Sequence, residues 1–379
     1  MIYREFQGKK LSALGFGCMR LPVKNGVYAD IDEAEAEKMV DYAMKNGVNY
    51  YDTAWGYHDG NSETVMGKIL KKYPRESFYL ASKFPGYDLA NMDKVESIFE
   101  TQLKKCGVDY FDFYLFHNVC EMNIDAYLDE KYGIFEYLAA QKKNGRIKHL
   151  GFSGHGDYAI LKRFLEKYGE YMEFGQLQIN YLDWEFQNAK EKTQLLASYN
   201  IPVWVMEPLR GGKLVSLAKG DEAALKALRP DEGVPAWAFR FLQSIPQISV
   251  ILSGMSDMAQ VKDNIKTFAE DKPLNDAEMR TLFGIADRMT GRTKLPCTAC
   301  RYCTSHCPKE LDIPELIKLY NEHIFTGGGF IAPMALLSYA DDKKPDSCVG
   351  CKSCEKVCPQ GIKISEMMTD FTKRLKESD

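Results

Sequence analysis

Residues 48–57, VNYYDTAWGY, contain the unit that decides the fold, an apolar run that ends abruptly in a loop rich in polar and aromatic residues. The unit recurs along the chain, and amphipathic stretches such as Ala34–Asn46 and Met92–Cys106 lie between its copies. Short apolar runs that alternate with helical spacing predict parallel strands joined by helices. Eight such units in about 280 residues predict an α/β fold, the closed (β/α)8 or TIM barrel. The eight runs are Leu14–Cys18, Val48–Thr53, Phe78–Lys83, Phe111–His117, His149–Ser153, Gln176–Tyr181, Pro202–Glu207 and Ile248–Ser253.

The first run also bears on the alternative arrangement, an open doubly wound sheet. A sheet of that kind usually carries a glycine-rich fingerprint with three glycines after its first strand. Here Gly15-Phe16-Gly17 continues as Cys18-Met19-Arg20, so the third glycine is absent. We therefore prefer the barrel. Residues 1–12 alternate around Gly8-Lys9 and predict a short hairpin before it.

The alternation stops near Arg292, where the short polar segment Thr290–Pro296 predicts a domain boundary. We expect a barrel over residues 1–289 and a second domain over residues 290–379. Eight of the 11 cysteines follow this boundary, in two runs with one spacing. The runs are Cys297-x2-Cys300-x2-Cys303-x3-Cys307-Pro308 and Cys348-x2-Cys351-x2-Cys354-x3-Cys358-Pro359.

This spacing resembles that of bacterial ferredoxins with two [4Fe–4S] clusters. In that pattern the fourth cysteine of each run binds the cluster of the other run. The resemblance implies one cluster on Cys297, Cys300, Cys303 and Cys358, and a second on Cys307, Cys348, Cys351 and Cys354. Zinc is the main alternative, but two separated CxxC pairs would satisfy it and the third cysteine of each run would be surplus. Disulfides are disfavoured in the cytosol.

The segment between the two cysteine runs is long and includes Ile313–Phe325, whose apolar residues have helical spacing. A compact βαβ ferredoxin would need a shorter, strand-like connection, so this domain resembles the α-helical ferredoxin type. Two clusters close together would pass single electrons between them. The expected partners therefore include an electron-transfer protein.

Polar or ionisable residues recur where the predicted strands end, which is the face of a barrel that carries the chemistry. Asp52 and Tyr57 follow the second strand, Lys83 ends the third and His117 ends the fourth. Reduction of a carbonyl requires a hydride on carbon and a proton on oxygen. A tyrosine can supply that proton, and a neighbouring ammonium is expected to lower the tyrosine pKa toward the working pH. His117 would orient the carbonyl oxygen, and Asp52 would keep Lys83 protonated.

Asp52-Thr53-Ala54-x2-Tyr57, with Lys83 and His117 after the next two strands, is similar to the catalytic tetrad of the aldo/keto reductases. The resemblance covers about residues 1–285 and implies that Tyr57 is the acid/base, that Lys83 and Asp52 tune it, and that His117 orients a carbonyl or alcohol substrate. It also implies an extended NADP or NAD cofactor. The family prior favours NADP, but Gln260 stands where a basic residue often contacts the 2′-phosphate.

The resemblance further implies a set of cofactor contacts. Ser153 and Gln178 match the residues that hold the nicotinamide carboxamide, although Gly154-His155 replaces the usual Asn. Met206 stands where an aromatic ring usually stacks on nicotinamide. Arg210 is a candidate partner of the cofactor phosphate. The remaining matches, around the pyrophosphate and the adenosine, are Leu209, Gly211, Gly254, Met255, Ser256, Gln260 and Asn264.

Composition narrows the classes of function. A formal charge of −4 argues against nucleic acid or an anionic membrane as a partner. The N-terminal sequence lacks the apolar region of a secretory signal, and no apolar run has the length that a membrane span requires. We therefore expect a cytoplasmic oxidoreductase. The alternative is a redox-sensing or electron-carrying nucleotide-binding protein with little turnover, because hydride moves two electrons while each cluster accepts one.

Overall fold

The computed structural model describes residues 1–291 and 295–377. The chain divides into two compact units, Met1–Gly284 and Ile285–Asp379. Part of the predicted boundary segment Thr290–Pro296 lies outside the described residues. The domain extents of 1–289 and 290–379 therefore stay predictions.

The first unit is built around eight parallel strands that close into a barrel, as the sequence predicts. Each strand pairs with its neighbours in chain order, and the last pairs with the first through Leu252 opposite Gly15. The alternative open sheet is therefore wrong. The barrel strands are β3 (Leu14–Gly17), β4 (Tyr50–Asp52), β5 (Tyr79–Phe84), β6 (Phe111–Val119), β7 (Ile147–Gly154), β8 (Phe174–Gln178), β9 (Val203–Met206) and β10 (Ile248–Gly254).

The predicted hairpin is present and consists of β1 (Tyr3–Phe6) and β2 (Lys9–Ser12), which pair antiparallel. Its apolar side chains cover the end of the barrel where the strands begin. The Phe6 ring lies 5.1 Å from Trp204 and 5.7 Å from Phe113, and Phe113 and Trp204 are wholly buried. Burial of each such aromatic side chain contributes about 1.5–3 kcal/mol. The packed hairpin leaves the opposite end, where the strands finish, as the open face.

Helices connect successive strands of the barrel, and the last two helices of this part of the chain follow the final strand. The first, α1 (Glu33–Lys45), begins where the Asp32 carboxylate accepts a hydrogen bond from the Glu35 N–H, a common N-terminal cap. The others are α2 (Ser62–Leu70), α3 (Val95–Cys106), α4 (Ile124–Leu128), α5 (Ile134–Lys143), α6 (Tyr158–Tyr168), α7 (Asp183–Phe186), α8 (Ala189–Ser198), α9 (Lys219–Leu228), α10 (Val234–Gln243), α11 (Met258–Thr267) and α12 (Asp276–Gly291).

Strand β8 is the clearest departure from the predicted strand bounds. The apolar pattern places it at Gln176–Tyr181, but it ends at Gln178. Asn180 causes the early end, because its side-chain carbonyl accepts hydrogen bonds from the N–H groups of Leu182 and Asp183 and turns the chain. Tyr181 is nevertheless buried. The apolar sequence pattern therefore extends past the end of the strand.

The second unit is helical in its described residues, as predicted for the α-helical ferredoxin type. Its helices α13 (Ile313–Thr326), α14 (Ile331–Leu336), α15 (Ser353–Lys356) and α16 (Ile364–Glu377) pack around a small apolar core. Leu316, Phe371 and Met368 are among its buried residues, and six of the eight cysteines, three from each run, belong to that core or border it. The core thus fixes the two cysteine segments against each other.

Candidate active site and cysteine sites

The four residues of the predicted proton-delivery set meet at the open end of the barrel. Lys83 is fully buried, and its Nζ donates to Asp52 Oδ1 at 2.6 Å and to the Thr53 carbonyl at 2.8 Å. Its third donor reaches the Tyr57 hydroxyl at 3.3 Å. The Tyr57 and His117 rings face each other edge to face with centroids 6.1 Å apart. The ammonium therefore lies between a carboxylate and a phenol hydroxyl.

Electrostatics keep Lys83 charged. Burial alone would lower the pKa of Lys83, but the Asp52 carboxylate and the Tyr57 hydroxyl outweigh it, so the pKa of Lys83 lies above its ordinary value. The pKa of His117 is held well below its usual value, first by burial and then by the Lys83 charge and His155. His117 is therefore a neutral ring that can donate a hydrogen bond without carrying charge.

The net shift in the pKa of Tyr57 is opposite to the expected lowering by the ammonium. Burial raises the pKa of Tyr57 to about 12, although Lys83 lowers it. The nearby Asp52 carboxylate also raises it. Burial outweighs the ammonium because a phenolate loses its hydration in this site. Tyr57 therefore holds its proton at neutral pH.

Tyr87, which we did not predict as a site residue, also borders this site. It follows β5 by three residues, and its ring lies 5.1 Å from that of His117 at nearly a right angle. Tyr57 and Tyr87 thus flank His117. Extending the search a few residues past the end of β5 would have found Tyr87.

A buried polar network lies behind Lys83 and was also not predicted. Glu63 on α2 accepts hydrogen bonds from Ser82 and from Gln102, each at 2.7 Å. The Gln102 amide also donates to the Lys83 carbonyl at 3.0 Å. Glu63, Ser82 and Gln102 are fully buried. The network fixes the backbone that carries Lys83.

The two predicted carboxamide-binding residues lie at the ends of neighbouring strands. Ser153 is buried and its Oγ accepts from the Asn118 N–H at 2.8 Å. The Gln178 amide donates to Asp183 Oδ2 at 2.8 Å. Burial, aided by Lys192, lowers the pKa of His155 to about 4, against the effect of its hydrogen bond with Gln178. His155 thus contacts Gln178 from a position two residues after Ser153.

Arg210 is directed inward by a buried ion pair. Its Nε lies 2.9 and 3.0 Å from the two oxygens of Asp183, and both side chains are buried. Asp183 also accepts from Asn180 at 2.7 Å. Arg210 thereby anchors the loop after β9, and its contact with cofactor phosphate stays a prediction.

The loop after β9 carries other predicted contacts. Met206, at the strand end, and Leu209 are partly exposed, whereas Gly211 and Gly212 are exposed. Gly211 and Gly212 have φ of 63° and 96°, a conformation that favours glycine. Backbone N–H groups in such a turn can approach an anion closely.

The segment after β10 contains the remaining predicted contacts. Met255 and Asn264 are buried, and the Asn264 amide donates to Ser253 Oγ at 3.0 Å. Gly254, Ser256 and Gln260 are exposed. The Gln260 side chain accepts from the Ser256 N–H at 2.9 Å and donates to Asp257 at 2.8 Å.

The eight cysteines of the second unit line two cavities. One, of about 320 Å³ including space open to solvent, is lined by Cys297, Cys300, Cys303 and Cys358. The other, of about 340 Å³, is lined by Cys307, Cys348, Cys351 and Cys354. Each cavity thus combines three cysteines of one run with the fourth cysteine of the other. These are the two groups that the ferredoxin resemblance implied.

A single bound metal ion would require closely spaced ligands. In the described part of the chain, no three His, Cys, Asp or Glu side chains come close enough to share one metal ion. A tetrahedral zinc with Zn–S bonds of about 2.3 Å would hold its sulfurs only about 3.8 Å apart. Each cavity brings together four thiols, which is the donor set that a [4Fe–4S] cluster requires.

Comparisons with known proteins identify both the barrel and the cysteine-rich part of the chain. Residues 13–287 match the aldo/keto reductase family model, and residues 296–363 match the 4Fe-4S dicluster domain. In the described ranges, no helix combines the length and the apolar character needed to cross a membrane.

Individual relatives resemble the barrel. A probable aldo-keto reductase of Glycine max is 33% identical over 39% of this chain, which spans only 42% of that protein. The NADH-specific methylglyoxal reductase of Escherichia coli is 26% identical, covering 74% of this chain and 96% of the relative. A solved Bacillus halodurans aldo-keto reductase in its holo form is 25% identical, covers 75% of this chain and 96% of its own, and has a TM-score of 0.60.

Proposed function

Because this chain belongs to the aldo/keto reductase family and carries a C-terminal 4Fe-4S ferredoxin-type domain, we propose that it is an NAD(P)(H)-dependent oxidoreductase that acts on an organic carbonyl or alcohol. The observation that carries the proposal is the set of three bonds from the Lys83 ammonium to Asp52, Thr53 and Tyr57. A buried ammonium held against a phenol at the open end of a barrel is suited to proton transfer.

The proposed roles follow from this geometry. The reduced nicotinamide would supply a hydride to the carbonyl carbon. Tyr57 donates its proton to the carbonyl oxygen, and the Lys83 charge stabilises the phenolate that remains. The neutral His117 ring orients that oxygen by donating a hydrogen bond. Ser153 and Gln178, at the ends of β7 and β8, would hold the carboxamide and fix which face of the ring meets the substrate.

Catalytic turnover of the dinucleotide with a carbonyl substrate tests this proposal. Anaerobically purified protein is mixed with NADH or NADPH and a panel of small aldehydes and ketones, and oxidation of the dinucleotide is followed at 340 nm. We expect multiple turnovers with at least one carbonyl class. Tight dinucleotide binding with no turnover on any member of the panel would instead support a redox-sensing or electron-carrying nucleotide-binding protein.

For the second unit, we propose two [4Fe–4S] clusters, one in each cysteine-lined cavity, with the four lining cysteines as ligands. Such clusters supply one-electron transfer. Cys300 and Cys351 are exposed, so a protein partner could approach either cavity from solvent. An electron-transfer protein is therefore the proposed macromolecular partner.

The pKa of Tyr57 predicts different pH dependences for the two directions of reaction. Reduction uses the protonated phenol, which prevails below a pKa of about 12, so kcat/KM for reduction should be level between pH 6 and pH 9. Oxidation of an alcohol uses the phenolate, so its kcat/KM should rise about tenfold per pH unit. Initial rates in both directions measure this. A reduction rate that falls between pH 7 and pH 9 would place the pKa of Tyr57 near neutrality and contradict the prediction.

The residues at the proposed 2′-phosphate position, Gln260 and Asp257, favour NAD(H) over NADP(H). Residues 254–260 contain no Lys or Arg, and the Asp257 carboxylate is held there by two bonds from Gln260. A 2′-phosphate adds up to two negative charges beside this carboxylate, whereas a 2′-hydroxyl can donate to it. The Escherichia coli relative, whose name states NADH specificity, agrees with this preference.

We expect NADH to bind at least about tenfold more tightly than NADPH, since one charge contact is worth about 1.4 kcal/mol or more. Gln260→Arg should narrow that ratio by strengthening NADPH binding. Fluorescence titration with each dinucleotide measures both constants. Gln247→Arg adds the same charge at an exposed position before β10 and should leave the ratio unchanged. Tighter binding of NADPH to the unmodified protein would contradict the preference.

A further inference from the structure

Three exposed lysines lie around the second cavity, the one lined by Cys307, Cys348, Cys351 and Cys354. Lys309 and Lys352 belong to the lining of that cavity, and Lys356 ends α15, the short helix that carries one of its cysteines. Among the described residues, no Asp or Glu belongs to this lining. The opening of the second cavity is therefore bordered by cationic side chains.

None of these three lysines is neutralised by an ion pair. Within residues 1–291 and 295–377, no carboxylate lies within ion-pair distance of their ammonium groups. Other lysines of the second unit do have such partners. Lys343 pairs with Glu310 at 3.3 Å, and Lys344 pairs with Asp341 at 2.7 Å. The three charges are thus available to an anionic group that approaches from solvent.

The acids of the same segments do not cancel this charge. Glu355 is the only Asp or Glu in residues 348–363, and its carboxylate accepts hydrogen bonds from the N–H and the hydroxyl of Ser365. Asp346 is exposed two residues before Cys348, but one carboxylate does not balance three ammonium groups. The surface around the second cavity therefore stays positive, although the whole chain carries a formal charge of −4.

The first cavity, which Cys300 lines, has no comparable surface. Arg301 is the only Lys or Arg in its lining, among the residues that the structure describes, and it pairs with Asp312 at 3.1 Å. Access to the thiols does not separate the two cavities, because Cys300 and Cys351 are both exposed. Surface charge therefore distinguishes the second cavity from the first.

An exposed apolar side chain accompanies the lysines. Val349 lines the second cavity and is 59% exposed. Protein interfaces commonly combine apolar contacts at the centre with polar and charged groups at the rim. Attraction between opposite charges also speeds the encounter of two proteins. Val349 and the three lysines thus fit a protein partner that carries an acidic surface.

We propose that an acidic one-electron carrier protein docks over the second cavity, with its carboxylates against Lys309, Lys352 and Lys356 and an apolar contact at Val349. The inference rests on the proposed function, because it places the electron-transfer partner at one of the two cysteine-lined cavities and specifies the charge of that partner. The docked carrier lies against the exposed Cys351, and the first cavity stays free of it.

Binding of a protein probe tests the charge of the surface. The probe is an acidic flavodoxin, and its binding to the anaerobically purified, iron-loaded full chain is followed by surface plasmon resonance at about 50 mM and about 500 mM salt. We expect the triple variant Lys309→Gln, Lys352→Gln and Lys356→Gln to weaken binding at least about tenfold at the lower salt, chiefly through slower association. The higher salt should reduce this difference to less than about twofold, because it screens exposed charges.

A matched triple variant removes the same charge elsewhere. Lys45→Gln, Lys104→Gln and Lys226→Gln change exposed lysines on three helices of the barrel and should leave flavodoxin binding unchanged. The iron content of both triple variants should equal that of the unmodified protein, since none of the changed residues is a cysteine. Equal iron content shows that a loss of binding does not come from unfolding of the second unit.

A pair of single variants tests the location. Val349→Asp and Tyr302→Asp each place a carboxylate at an exposed residue, one beside the second cavity and one between two cysteines of the first. Val349→Asp should weaken flavodoxin binding about tenfold at the lower salt, because like charges repel across the interface. Tyr302→Asp should change it by less than about twofold.

Four results would overturn the inference. They are equal weakening by Val349→Asp and Tyr302→Asp, full binding by the triple variant at Lys309, Lys352 and Lys356, no binding of flavodoxin to the iron-loaded protein, and loss in that variant of binding to anionic phospholipid vesicles alone. The last result would make the surface a lipid site. A purified chain without iron would instead contradict the clusters of the proposed function.

Discussion

Replacing Tyr57 with Phe should lower kcat for carbonyl reduction by about 10³- to 10⁴-fold, within reach of the full contribution of general acid catalysis. The substitution removes only the phenolic hydroxyl group. In the described structure its hydrogen-bond partner is the Lys83 ammonium, at 3.3 Å. Without it the carbonyl oxygen would have to take its proton from water. Steady-state rates with the best carbonyl of the panel measure the loss.

Tyr57→Phe is a cleaner test than removal of Lys83. Lys83→Met would leave the Asp52 carboxylate buried without its cation, which costs about 3–5 kcal/mol. A loss of activity in that variant would therefore mix chemistry with unfolding. Loss of the Tyr57 hydroxyl removes one long hydrogen bond, worth about 1 kcal/mol, so melting temperature and NADH affinity should hardly change.

Tyr28→Phe is the matched control, because Tyr28 is an exposed tyrosine whose ring stacks on His58. It loses the same atom and should keep its activity. If Tyr57→Phe retained more than about a tenth of the rate with normal cofactor affinity, Tyr57 would not be the proton donor. The barrel could still bind a dinucleotide, but its chemistry would need another acid.

The barrel could be predicted from the sequence because its signal is repeated and local. Each strand needs only a short apolar run, and each crossover needs only helical spacing, so an error in one unit leaves the other seven intact. The predicted bounds of β8 were wrong because they rested on the same local apolar signal. An apolar pattern records which residues are buried, and it does not record that the Asn180 side chain has ended the strand.

Much of the candidate site could be predicted because its residues lie at strand ends or in the loops that follow them. Asp52, Lys83 and His117 lie at such ends or close to them. Asp183 pairs with Arg210 across 27 residues of sequence, and no local pattern indicates that pair. The raised pKa of Tyr57 was missed for a different reason. The sequence indicated the neighbouring ammonium, but the loss of hydration depends on packing in three dimensions.

Removal of cluster ligands from the cysteine sites should strongly lower the iron content of the protein. The loss should come in steps of one whole cluster. If each cavity holds one cluster, the chain binds about eight irons. Cys300 and Cys358 belong to different sequence runs but line the same cavity. The double variant Cys300→Ala with Cys358→Ala should therefore lose one cluster and keep about four irons.

Cys300 and Cys307 reverse that relation, since they belong to one run but line different cavities. The double variant Cys300→Ala with Cys307→Ala should damage both sites and keep few or no irons. If each run held its own cluster, Cys300→Ala with Cys307→Ala would keep about four irons, and Cys300→Ala with Cys358→Ala would keep few or none. Iron and sulfide analysis after anaerobic purification, with absorbance near 400 nm, distinguishes these outcomes. Cys120→Ala, a buried thiol of the barrel, should keep all the iron. Iron at one or two atoms per unmodified chain would exclude two cubane clusters.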